Sequence, residues 1–333
     1  MKKSIAEGLA SPYTGGLVYL VEGTEKQTFR GEEYTVHARY YECKDTGGKF
    51  TSEEQDEQLF CELYNQYRVR HGIPFPDEIK EIRERYRLSC QQMSKILGFG
   101  QNQWGQYENG KMPSESNGKS IATIRSRDGM LAILETSRNE FDEDTYEKIR
   151  KNILCAPDSG NRNSRSVYFY GNTKRGLYNG YSEMNADKLQ GMVQTIVSME
   201  KHGVSKTKLN KEMFYADFLC YKKHGRSISG LAYRAIQYGA VPEHYETVYD
   251  HVDGLQRRIV GGDMEYELLS CDNPDTSALN NEDMKVIQDV MSLLADKTCS
   301  EVVKLSHAED GWLKNKDSHS FIPYDEAFTL RAI

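Results

Sequence analysis

The stretch Leu88 to Gly110, LSCQQMSKILGFGQNQWGQYENG, constrains this chain more than any other. Ser89 can cap a helix, and Gln92 three residues on can bond back to complete a capping box. Met93, Ile96 and Leu97 then share one helical face. Gly98-Phe99-Gly100 breaks the helix, its two glycines allowing the positive φ of a tight turn. The pattern predicts a second helix over Gln101–Asn109, with Trp104 and Tyr107 on its inner side and Asn102, Gln103 and Gln106 turned elsewhere. Such a pair reads as a helix-turn-helix, with small Ser94 where close packing requires it. Asn and Gln can bond an adenine edge bidentately in the major groove, and a recognition helix offers such residues from its first turns. Gln101, Asn102, Gln103 and Gln106 are therefore candidate base-reading residues. A helical hairpin with a wet polar face is the plainer reading of the same pattern.

Charge divides in keeping with this. The net charge of −7 suits no nucleic-acid binder as a whole. Arg68 to Arg127, however, holds eleven basic against six acidic residues, whereas Ala186 to the end holds 17 against 23. A basic segment that could contact phosphates is thus joined to a more acidic module. Lys95, Lys111, Lys119 and Arg125 are candidates for phosphate contacts, which position a protein on DNA without specifying sequence.

The 333 residues predict two or three domains, of α+β class. No apolar run has the length of a membrane span, and MKKSIAEGLASPY lacks the apolar centre of a signal peptide, so a soluble, cytoplasmic protein is expected. The seven scattered cysteines include no C-x-x-C, which argues for free thiols and no metal or cofactor. Residues 1–70 read as a small module of short strands (Leu17–Val21, Tyr34–Tyr41) followed by a helix from Thr51 or Ser52 to Val69. Residues 71–150 read as a five-helix domain, with Pro76 opening a helix before the helix-turn-helix and two short helices after Pro113. Residues 151–186, poor in aliphatics, read as a linker or extended arm. The aromatics between 168 and 181 could stack on bases or pack on a neighbouring domain. Residues 187–333 read as mostly helical, with a strand at Leu231–Ile236, a turn at Gly239–Pro242, a helix after it, and a hairpin around Gly261-Gly262.

No catalytic spacing emerges. The six histidines of the C-terminal half fit no H-E-x-x-H, and there is no G-x-S-x-G or phosphate-binding glycine loop. A binding protein is expected and not an enzyme. Asp217, Arg226 and Arg234 can be buried ion-pair partners or contact residues. Lys201–Arg226, with seven basic residues and two acidic, can face nucleic acid or an acidic protein.

Two resemblances bear on function. Thr28-Phe29-Arg30-Gly31, the Tyr41-to-Glu54 region and Leu97-Gly98-Phe99-Gly100-Gln101-Asn102-Gln103-Trp104-Gly105-Gln106-Tyr107-Glu108-Asn109-Gly110 resemble the MqsA-type antitoxins. These pair a zinc-binding sheet module with a Cro-like helix-turn-helix domain that dimerises on DNA. The resemblance implies that Asn102 and Gln106 read bases, although the family usually has Arg at the second position. Its two C-x-x-C motifs fall on Ser11-Pro12-Tyr13-Thr14 and Cys43-Lys44-Asp45-Thr46, where one thiolate cannot supply four zinc ligands, so a metal-free module is expected.

Lys208-Leu209-Asn210-Lys211, Phe214-Tyr215-Ala216-Asp217-Phe218, His224-Gly225-Arg226-Ser227-Ile228-Ser229-Gly230, Tyr238-Gly239-Ala240-Val241-Pro242 and Leu305-Ser306-His307-Ala308-Glu309 resemble the Panacea (SocA-like) antitoxin domain. That resemblance implies direct binding of a neighbouring, commonly translation-blocking toxin, here through Tyr215, Asp217, Arg226, Arg234 and Tyr238. One member is described as delivering its toxin to a protease, which implies a cellular protease as a further partner. Together the two imply a type II antitoxin that represses its own operon as a homodimer on operator DNA. A ligand-sensing repressor without a toxin is the alternative.

Overall fold

The computed structural model describes residues 1–157, 174–261 and 266–333. The architecture is α+β and multidomain. Contacts divide it into two compact units, Met1–Leu63 with Ser166–Ile333, and Tyr64–Arg165. No helix among the described residues is long and apolar enough to cross a membrane.

In the first unit, β1 (Lys2–Ala10), β2 (Leu17–Phe29), β3 (Glu32–Cys43) and β4 (Lys49–Phe50) form an antiparallel sheet in sequence order. The strands are longer than the alternation suggested, because β2 and β3 pair along their whole length, from Val18↔Cys43 to Phe29↔Glu32. Val21, Tyr34, Val36 and Ala38 are buried on one face, and Val18 and its partner Cys43 are buried on the other. Two turns echo each other at one end. Gly15 N–H donates to Ser11 O and Gly47 N–H to Cys43 O, both at 2.8 Å, and both glycines have positive φ. They bring Thr14 Oγ1 to 3.6 Å from Cys43 Sγ. Hydrogen bonds from the hydroxyls of Ser11, Thr46 and Thr14 hold the Cys43 thiol down, to about 6.

α1 (Glu53–His71) starts where the sequence placed it, at a capping box: Gln55 N–H donates to Ser52 Oγ and Ser52 N–H to Gln55 Oε1. The remainder of the first unit is built on α8 (Ala186–Ser198), α9 (Lys206–His224), α10 (Asn281–Leu294), α11 (Cys299–Ala308) and α12 (Asp310–Asn315). Between these lie the hairpin β6 (Tyr233–Ile236) and β7 (Gly239–Pro242), whose third strand is β10 (Phe321–Ile322). A second sheet sets β5 (Val204–Ser205) against the hairpin β8 (Gln256–Val260) and β9 (Tyr266–Ser270). Gly239–Pro242, expected as a turn, is thus a strand. The expected helix after it is only a 3-10 turn, Val248–His251. The part of the expected linker at 158–173 lies outside the described residues. Beyond it, Tyr181 is buried and stacks on Tyr221, so this stretch packs on the helices.

The sheet module is packed onto the helices and does not stand apart. The His37 ring stacks on Phe328 at 4.2 Å, and Gln58 Nε2 donates to the Lys222 carbonyl.

The second unit continues from the later part of α1 through α2 (Pro76–Arg85), α3 (Cys90–Ile96), α4 (Gln103–Glu108), α5 (Glu115–Thr123), α6 (Arg127–Thr136) and α7 (Glu143–Leu154). α7 exceeds the five helices expected. Asp142 caps it, and Tyr146, Ile149 and Ile153 complete the core. The capping box of Ser89 and Gln92 is made in both directions. Gly98 alone of the two turn glycines takes a positive φ, +66°. α4 is shorter than predicted, with Asn102 as its N-cap residue and Trp104 and Tyr107 buried. Ser94 Oγ accepts from Trp104 N–H, so the small residue both admits the helix and satisfies its first turn.

Candidate functional site

α9 is the centre of the first unit. Ser205 caps it, Gly225 ends it with φ +65°, and every residue from Lys208 to Tyr221 is buried. A helix enclosed on all sides shows no amphipathic stripe, and its polar side chains must find partners inside. Asp217 Oδ1 accepts the Ile228 and Ser229 N–H groups at 2.8 and 2.9 Å. Its Oδ2 accepts the Ser229 and Tyr233 hydroxyls. Burial raises its pKa in spite of these donors. The carboxylate thereby fixes the Ser227–Leu231 loop and the start of β6. Tyr215 donates to Glu309 Oε1 at 3.0 Å, joining α9 to the end of α11.

These facts correct two expected contact residues. Tyr215 and Asp217 have no solvent exposure and cannot touch a partner in this conformation; they hold the framework. Two of the seven cations of Lys201–Arg226 are likewise not on the surface, while the other five reach solvent. Lys211 is fully buried, and Lys208 is turned inward onto Glu200 at 2.6 Å and Glu212 at 3.5 Å. Arg226 and Arg234 are partly exposed but engaged. Arg226 pairs with Asp283 at 2.6 Å and Glu282 at 2.9 Å, while Arg234 lies over the Phe321 ring and pairs with Glu243. Burial opposes ionisation of Asp283, yet Arg226 and Lys188 outweigh it and keep its pKa low.

Tyr238 is the expected contact residue that stands free. It is 61% exposed at the turn between β6 and β7. The turn is gripped from beneath: Ala240 N–H donates to Ser306 Oγ at 3.1 Å, and Trp312 Nε1 donates to Ile236 O at 2.8 Å. The Trp312 ring stacks on His307 at 4.1 Å. Gly239 has φ +100°, and a Cβ there would lie within 2.7 Å of Ser306 Oγ and 2.8 Å of Lys211 Cε. No other residue fits without displacing this clamp. Among the described residues Lys211 Nζ has no hydrogen-bond partner, and burial lowers its pKa to about 8. Nothing in the sequence spacing of Ser306, His307 and Lys211 marks them for this supporting role.

In the second unit, Gln101, Asn102 and Gln106 are exposed, while Gln103 is half-buried and donates to the Tyr107 hydroxyl. Asn102 makes no side-chain cap bond. Gln106 Oε1 accepts from Lys111 at 2.8 Å. Glu108 steadies the helix from behind, accepting from Trp104 Nε1 at 2.6 Å and pairing with Arg83 at 2.6 Å. Sequence reasoning missed that brace. Lys95, Lys111, Lys119 and Arg125 are all exposed, with Arg125 paired to Glu78 and Lys95 lying over Phe141.

Among the described residues, no group of three or more His, Cys, Asp or Glu side chains is placed to hold a metal ion. The hydroxyls of Ser11, Thr14 and Thr46 surround the Cys43 thiol, and one thiol with three neutral hydroxyls does not suit zinc.

Residues 209–313 match the family described as "Antitoxin SocA-like, Panacea domain". The chain is therefore similar to an antitoxin domain over the stretch that runs from α9 through the gripped hairpin into α12. No curated protein and no solved structure matches the chain.

Proposed function

We propose that this chain is the antitoxin of a type II pair, binding a neighbouring, translation-blocking toxin directly and repressing its own operon. The observation that carries this reading is the antitoxin-type domain at 209–313, whose gripped β6–β7 turn holds Tyr238 out to solvent. A large aromatic on a rigid support, with one face free, suits a binding anchor that loses little entropy on docking. Arg234 on β6 and Arg226 just beyond the far end of α9 are the remaining candidate contacts, and Tyr215 and Asp217 act through the framework. The second unit is assigned to operator DNA as a homodimer, on half-sites about one helical turn apart. Gln101, Asn102, Gln103 and Gln106 read bases there, and Lys95, Lys111, Lys119 and Arg125 lie along phosphates. Gln106 exchanges its bond to Lys111 for the base. Residence in the cytoplasm and handover to a protease belong to the same proposal.

The test uses point variants of the full chain co-expressed with the product of the adjacent gene. Tyr238→Ala should lose growth rescue and pull-down while still shifting operator DNA. Asn102→Ala should do the reverse, weakening the operator complex by ~1–3 kcal/mol. Loss of rescue in Asn102→Ala with retention in Tyr238→Ala would overturn the assignment.

A further inference from the structure

A groove of about 320 Å³ opens on the first unit where β3, α1, α9 and α10 meet. Leu219 forms its buried floor, and Leu293 stands beside it 48% exposed. Its charged side chains are three cations, Arg39 on β3 and Lys222 and Lys223 at the end of α9, and two carboxylates, Glu54 on α1 and Asp289 on α10. Two of the cations are already neutralised, Arg39 by Glu22 and Lys223 by Asp289, each at 2.7 Å. Lys222 is not: among the described residues no carboxylate lies within 4 Å of its ammonium. Burial and then the Arg39 charge lower its pKa, so an anion placed here would relieve both penalties. The surface thus offers a half-buried cation without a counter-ion beside an exposed leucine over an apolar floor. Its volume falls in the range of ligand pockets, enough for one or two side chains.

We infer that this groove receives an acidic segment of the toxin, a carboxylate bonding Lys222 while an aliphatic neighbour packs on Leu293 and Leu219. The inference rests on the antitoxin reading and adds a participant to it. Arg39 and Gln58 lie outside the 209–313 match, so the N-terminal sheet and α1 build one wall of the partner site. Gln58 fastens that wall by its bond to the Lys222 carbonyl.

The test titrates the full chain against a fluorescein-labelled heptapeptide of alternating Asp and Leu, read by anisotropy at low salt. A second peptide carries Lys in place of Asp. The acidic peptide should bind, the basic one should not, and Lys222→Glu and Leu293→Asp should each weaken binding at least ~tenfold. Both positions reach solvent, and melting curves establish that the variants fold. Absence of acidic-peptide binding, or equal affinity in wild type and both variants, would overturn the inference. Co-expression separates it from its premise. Rescue that survives both groove variants but fails in Tyr238→Ala removes the groove and leaves the antitoxin. A wild-type chain that neither binds nor neutralises the adjacent product removes the antitoxin reading, and the peptide titration still decides the groove.

Discussion

Glu62 and His37 meet where the sheet packs on the helices, and together they predict a pH signature. Glu62 Oε2 accepts the His37 backbone N–H at 2.7 Å. Burial raises the Glu62 pKa from 4.5 to about 7, outweighing that bond. Burial also lowers the His37 pKa from 6.5 to about 4. At pH 5 to 6 the folded chain keeps a proton on Glu62 and none on His37, whereas the unfolded chain does the opposite. For Glu62 the folded pKa is raised, so its contribution to stability is present below about 4.5 and lost as pH climbs through about 7. The size is ~3 kcal/mol. For His37 the folded pKa is lowered, so stability is present above 6.5 and lost as pH falls through about 4. Water still reaches part of that ring, which reduces the effect to ~2 kcal/mol. The two slopes oppose each other across the same window and largely cancel in the wild type. Each substitution should expose the other. Urea titrations from pH 4.5 to 8 should show Glu62→Gln gaining ~3 kcal/mol over wild type as pH rises. His37→Gln should gain relative to wild type as pH falls, against a constant loss of its stacking on Phe328. If either difference stays level within ~0.5 kcal/mol across the window, the burial argument is wrong.

Two further predictions concern buried polar clusters. Asp217→Ala leaves two amides that cannot turn to another acceptor, at ~1–3 kcal/mol each, so the variant should lose several kcal/mol in urea titration. Asp217→Asn keeps Oδ1 for both amides and asks only the two hydroxyls to reorient, so it should cost a fraction of that; equal costs would refute the role given to Oδ1. At the twin turns, Thr14 Oγ1 and Cys43 Sγ stand 3.6 Å apart, near the ~3.8 Å edge of a zinc tetrathiolate with Zn–S of ~2.3 Å. The triple variant Ser11→Cys, Thr14→Cys, Thr46→Cys should bind one zinc and melt at a higher temperature with metal than with chelator. Failure to retain metal would mean the turns do not converge as four ligands require.

What was legible in the sequence was what is local. A cap at Thr51 or Ser52, the capping pair Ser89/Gln92, Pro76 at its helix start and the buried pair Trp104 and Tyr107 depend on neighbours within a few residues. β1 was illegible because nearly all of it is exposed, so no apolar alternation marks it; pairing with β2 makes it a strand. Gly239–Pro242 reads as a turn by composition and becomes a strand because β6 pairs with it and Ser306 holds it, 66 residues away. Lys211 defeats residue-type reasoning altogether, since a lysine is almost never fully buried without a partner. Of the expected contact residues, Tyr238 is exposed and Asp217 is buried. Both sit in the same motif-rich stretch, and only the packing of α9 separates outside from inside.

The attachment of the sheet to the helices changes how the division of labour has to be tested. Cutting the chain near residues 150 and 186 looks natural from composition, but a fragment from 186 onward lacks β3 and α1. It would uncover the face of Tyr221, whose hydroxyl has no hydrogen-bond partner among the described residues, and would free the Lys222 carbonyl that Gln58 satisfies. Failure of such a fragment to rescue growth would report a damaged fold and not a misplaced function. Tyr238, Lys222 and Leu293 can instead be changed at the surface of the intact first unit, and Asn102 at the surface of the second. Because none of the four is buried, an effect confined to one activity identifies which surface serves which partner.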